Sequence, residues 1–150
     1  RYGRAIAIRE RLVAENPESA LFRSHLAWSL RRRGLARLEL GDPAGAEADA
    51  RKALALWDGL PTRSAEEWFE TACAHATLVG LAGRDGSGVS PDAGPAEADS
   101  AIESLTKAFE MGRRDRHSIR VEHALDPLRG LPQFQSLMMD LAMPTDSFQP

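Results

Sequence analysis

"GDPAGAEADARKAL", residues 41–54, decides how the chain is read. Gly41 suits the end of one helix, Asp42 can accept the free amides at the start of the next, and Pro43 fits a first helical position, whose N–H has no partner in any case. Behind them Ala46, Ala50 and Ala53 recur at spacings of four and three, the period of one helix face. The stretch "AIESLTKAF", residues 101–109, carries Ala101, Leu105 and Ala108 at the same offsets. Rows of small residues let helices approach closely, so the two stretches read as equivalent members of two packed helix pairs.

Outward from these stretches, nearly every segment between proline or glycine breaks spaces its apolar residues by three and four, and the expected fold is all-α. Ile6, Ile8, Leu12 and Val13 mark a first helix that stops at "ENPES", where Pro17 biases Asn16 away from helical geometry. Leu21, Phe22, Leu26, Trp28, Leu30, Leu35, Leu38 and Leu40 mark a second. The third begins at Pro43 and ends near "DGLP". Ser64 followed by Glu67 is a capping box that opens a fourth helix, running to about Leu81. Residues 83–95, "GRDGSGVSPDAGP", are dense in glycine and proline and are expected to form a flexible insertion that buries almost nothing. Helix resumes near Ala96 and stops at Gly112. A closing segment, 113–143, then reads as a short helix over about 115–124, a "DPLRGLP" turn and a last helix from Pro132 to Ala142, stopped by Pro144.

The 150 residues are enough for one domain with a real core. The chain opens at Arg1 inside a periodic run and is expected to be the tail of a longer protein. A composition of 43% hydrophobic and 27% charged residues reads as soluble, and a net charge of −3 implies no general attraction to nucleic acid or anionic membranes. The single cysteine, Cys73, cannot form an internal disulfide, which fits a reducing, cytoplasmic compartment. No apolar run approaches the roughly 18 residues of a membrane span.

The repeated small residues resemble the tetratricopeptide repeat, a helix-turn-helix unit of about 34 residues that stacks into a solenoid. Leu30, Gly34, Ala46, Ala50 and Ala53 fall at signature positions of one repeat, and Trp68, Ala72, Ala101, Leu105 and Ala108 at those of the next. Arg33, Arg37, Thr71 and His75 depart from the pattern. "YGRAIAIRERLVAENPE", "EWFETACAHA" and "LDPLRGLPQFQSLMMDLAMP" are similar to the repeat region and closing segment at the C-terminal end of large bacterial serine/threonine protein kinases of the Hanks type. The resemblance implies antiparallel helix pairs in a short solenoid, covered by a C-terminal capping helix through Leu128, Phe134, Leu137 and Leu141. It also implies a protein-interaction module belonging to a signalling kinase, cytoplasmic or attached to a membrane-associated parent, that binds a protein or peptide.

Chemistry of its own is not expected in this segment. "RRDRH", 113–117, lacks the downstream asparagine that a kinase catalytic loop needs for magnesium, and the glycine-rich insertion lacks the lysine of a phosphate loop. Cys73 and His75, two apart on a helix, point in nearly opposite directions and cannot pair as thiolate and imidazole. The four histidines show no metal-ligand spacing, so neither a metal nor another cofactor is expected. The arginine runs Arg31–Arg33 and Arg113, Arg114, Arg116 read as solvated helix faces rather than a nucleic-acid site. By position in the repeat, Trp28, Arg31, Leu35, Glu66, Phe69 and Cys73 are expected to line a concave peptide groove, with Arg31 selecting an acidic neighbour of an apolar anchor. Two rival readings are a spacer or dimerisation region without a peptide ligand and, from another class, a thiol hydrolase built on Cys73.

Overall fold

The computed structural model describes residues 2–143, and within them every regular element is helical. Helices α1 (Tyr2–Glu15), α2 (Ala20–Glu39), α3 (Pro43–Asp58) and α4 (Ala65–Leu81) are followed by a short 3-10 turn at Pro91–Ala93, α5 (Gly94–Glu110), α6 (Arg116–Val121), a second 3-10 turn at His123–Leu128, and α7 (Pro132–Ala142). Pro144, expected to stop the last helix, lies outside the described residues.

Local capping sets most of the boundaries. The Asp42 carboxylate accepts from the Gly45 amide at 3.0 Å and opens α3 behind Pro43. Ser64 and Glu67 satisfy each other's amides at 2.9 and 3.1 Å, the reciprocal pair of a capping box. Gly112, at φ +100°, adopts the left-handed conformation that ends α5 without a Cβ penalty.

Two helix hairpins form the body. In the first, Arg23 on α2 reaches the Gly59 carbonyl after α3, while Arg33 and Arg37 meet Asp49, so α2 and α3 run antiparallel. In the second, Glu66 pairs with Arg113, His75 with Glu97, and Ala82 abuts Gly94, which makes α4 and α5 antiparallel as well. Contacts of Arg31 with Glu70 and of Leu38 beside Gly80 advance in the same sense along both chains, so α2 and α4 lie side by side and parallel. All six small-row positions, Ala46, Ala50, Ala53, Ala101, Leu105 and Ala108, are at most 1% exposed, as close hairpin packing requires. At Gly34 a side chain would stand 3.2 Å from the Asp49 Cβ and 3.3 Å from the Ala46 carbonyl, so a larger residue would push the two helices apart by a few tenths of an ångström.

The departures at Arg33 and Arg37 have a physical reason. Asp49 sits in the small-residue row of α3 and is only 4% exposed. Arg33 grips it with two bonds of 2.8 Å and Arg37 adds a third at 3.2 Å, so α2 supplies the charge that a buried carboxylate requires. Of the arginine runs, Arg114 and Arg116 are exposed as expected, whereas Arg31, Arg33 and Arg113 are not solvated faces. Arg31 is buried at 1% exposure, and Arg113 lies 3.5 Å over the Phe69 ring while its Nε donates to Glu66 at 2.6 Å.

Helix α4 is buried nearly all round and belongs to two cores. Ala74, Leu78 and Leu81 pack with Ile6, Leu26, Leu30, Leu54 and Trp57 in the first. Phe69, Ala72, Cys73 and Ala76 pack with Leu105, Phe109, Ile119, Leu125, Leu128, Phe134 and Leu141 in the second. The closing segment does cover α4, with Leu128, Phe134 and Leu141 buried and Leu137 partly so. The turn lies over the stripe Phe69, Cys73, Ala76 and Gly80, where the Pro127 ring comes within 3.1 Å of the place a Gly80 side chain would take.

The insertion differs from its expected character. Ser87 and Val89 are 2% and 4% exposed, and Val89 joins the first core. The Ser87 hydroxyl donates to the Leu81 carbonyl at 2.8 Å, the Gly83 amide donates to the Val89 carbonyl at 2.9 Å, and the Val89 amide donates to Ser87 Oγ at 3.1 Å. One apolar side chain and one hydroxyl anchor a loop whose composition alone signals only freedom. Gly94 and Pro95, assigned to the insertion from composition, form the first turn of α5.

Candidate functional site: a cleft between α2 and α4

A cleft of about 690 Å³ opens between the first halves of α2 and α4. Leu21, Ser24 and Trp28 come from α2, Glu66, Glu67 and Glu70 from α4, and Trp57 of α3 with Leu60 of the α3–α4 connection forms the apolar side. Arg9 of α1 closes one end. Leu21 is 61% exposed and Trp28 40%, whereas Leu60 and Trp57 are buried. A cleft of this size with an apolar lining and a few charged groups on one wall is the usual shape of a recognition site.

The six residues expected to form a groove divide into three groups. Trp28 and Glu66 line this cleft. Leu35 lines a smaller hollow of about 320 Å³ at the other end of α2 and α4, against Pro127. Arg31, Phe69 and Cys73 are at most 2% exposed and face no open groove, because the closing segment lies over their stripe and Arg31 is drawn into an ion cluster beneath it.

In that cluster Arg31 Nε donates to Glu70 Oε2 at 2.6 Å and Nη2 to Glu122 Oε1 at 3.1 Å. Glu122 caps the turn below it by accepting from the Ala124 amide at 3.2 Å. Burial pushes the Glu70 carboxyl above its ordinary range, and Arg31, shared between two carboxylates, does not fully reverse this. Burial also acts on Glu122, but Arg31 and the Ala124 amide outweigh it and hold its carboxyl below the ordinary range. Glu67 is likewise held low: hydrogen bonds from Ser24 and Ser64 and the charge of Arg63 overcome its burial. Burial drives the Cys73 thiol far above its usual value. With no exposed surface and no thiolate near neutrality, Cys73 is a packing residue in this fold.

The cations are largely committed. Arg9 donates to the Ser29 hydroxyl and lies 5.8 Å from the Trp28 ring, and Arg32 covers the same ring at 4.4 Å. Trp68 is held outside the cleft between Arg63 and Lys107, at 4.2 and 4.3 Å. Among the described residues no group of three or more histidine, cysteine or acidic side chains is arranged to hold a metal ion, and no helix is long and apolar enough to cross a membrane.

Comparison with family models, with curated proteins and with solved structures finds no match.

Sequence reasoning missed Leu21 and Ser24 as parts of the cleft, although it expected Glu66 and Glu70 to add negative charge beside the groove. Part of the signal was present. Leu21 and Trp28 stand seven residues apart on α2, on the side away from the core residues Leu26 and Leu30, whereas Leu35, seven further on, packs against the second core. An apolar stripe left over after the core face is assigned is the trace of a binding surface.

Proposed function

We propose that the chain is a protein-interaction module that seats an apolar side chain of a partner segment in the α2–α4 cleft. The observation that carries this reading is the pairing of exposed Leu21 and Trp28 with a concave, largely preformed space of about 690 Å³. In the tetratricopeptide-like reading, α2 and α4 are the first helices of successive repeats and the cleft is part of their concave face. The similarity of the closing segment to kinase C-terminal regions supports a place in a signalling kinase. Binding is favoured over thiol chemistry because Cys73 is closed to solvent.

Selection of a displayed random-peptide library tests the reading, with Leu21→Asp as the counter-screen. Leu21 is exposed enough for the change to spare the fold. Peptides enriched by the wild-type chain and lost with Leu21→Asp support the cleft. Enrichment indifferent to Leu21→Asp, or none, refutes it, and a sedimentation dimer abolished by Leu21→Asp would reassign the surface to self-association.

A further inference from the structure

We propose that the cleft selects a partner segment whose large apolar side chain is flanked by lysine or arginine. This rests on the reading of the cleft as a protein-binding site and names the chemistry of the occupant. Arg31, the cation expected to attract an acidic flank, is sealed from the cleft and shared between Glu70 and Glu122. One guanidinium against two carboxylates leaves that cluster negative.

The α4 wall presents Glu66, Glu67 and Glu70 within little more than one helical turn. The Glu66 side chain is 59% exposed, and its contact with Arg113 engages only Oε2. The positive end of α4 is already answered by the Ser64–Glu67 capping box, so the helix start offers little to a bound anion. On the opposite wall Arg9 keeps its charge, since it donates to the neutral Ser29 hydroxyl, so the lining sets one arginine against three carboxylates. A cationic flank thus meets Glu66, the exposed carboxylate of a wall whose other acids are already engaged, whereas an acidic flank meets like charge.

A protein segment suits the inner wall better than a free amine. Trp57 lines the cleft from beneath at 1% exposure and Leu21 stands 61% exposed at its mouth, an apolar surface that an amine alone would leave in water. Leu21 and Leu60 then enclose the apolar side chain.

The test uses synthetic twelve-residue peptides with a central leucine, phenylalanine or tryptophan, flanked in matched sets by lysine or arginine, by alanine, or by glutamate. Binding to the whole chain is read by fluorescence anisotropy at low and at physiological salt. Basic flanks are expected to bind roughly ten-fold tighter than acidic ones at low salt, with the gap narrowing as salt rises. Glu66→Lys should invert the preference, and Leu21→Asp should abolish binding of every set. Equal or tighter binding of the acidic set, lost with Leu21→Asp, overturns the charge assignment and leaves the protein-binding reading standing. Failure of all three sets overturns both.

Discussion

Replacing Arg31 by methionine removes the charge shared by Glu70 and Glu122 while keeping most of the side chain's volume. Glu122 is 15% exposed along its side chain and keeps its bond from Ala124, but Glu70, at 4%, is left as a buried carboxylate without a partner. Such a group neutralises rather than remain charged. Protonating it at pH 7 from an unfolded-state pKa near 4.3 costs about 1.4 kcal/mol per pH unit over about 2.7 units, so the loss is about 3.7 kcal/mol. That agrees with the roughly 3 to 5 kcal/mol typical of a broken buried pair.

The sign with pH follows. A carboxyl whose folded pKa lies above its unfolded value takes up a proton on folding, so stability falls as pH rises through that window. The cost of Arg31→Met should therefore shrink to about 1 kcal/mol at pH 5. Urea unfolding followed by circular dichroism at both pH values measures it, and adding Glu70→Gln should recover most of the loss at pH 7. An equal cost at the two pH values, or an unchanged midpoint, would refute the reasoning.

Val89→Ala should destabilise by about 2 kcal/mol, from two lost methyl groups and the space they leave in the first core; a melting point unmoved by the change, or by a Gly-Ser replacement of residues 83–90, would show that the loop is not anchored. Phe134→Ala should cost roughly 3 to 5 kcal/mol, because the ring is 4% exposed where the closing segment packs into the second core, and chemical denaturation reads this directly. Cys73 should resist a thiol reagent in the folded protein and react fully in denaturant, so rapid labelling of the native chain would contradict its burial.

Elements with local signals were legible in the sequence. Asp42 with Pro43, and Ser64 with Glu67, announce helix starts through bonds made within three residues, and the structure contains both sets. The face of the closing helix followed from spacing alone. Contacts between distant residues were not legible. Nothing near Arg31 identifies Glu122, 91 positions away, as its partner. The expected groove failed at Arg31, Phe69 and Cys73 because repeat position alone does not reveal what the closing segment covers. Asp49 was a missed clue: a carboxylate in a row of small buried residues demands a facing cation, and Arg33 and Arg37 are the residues opposite.

The double membership of α4 has a consequence for how the molecule comes apart. A helix that completes two cores cannot leave one without opening the other, so the hairpins do not melt as separate repeats with independent stabilities. Trp57 sits in the first core and Trp68 packs on the second, which places a natural fluorophore on each side of the shared helix. Single-tryptophan versions retaining one or the other should trace superimposable unfolding curves, and two separated midpoints would show that the halves are autonomous after all.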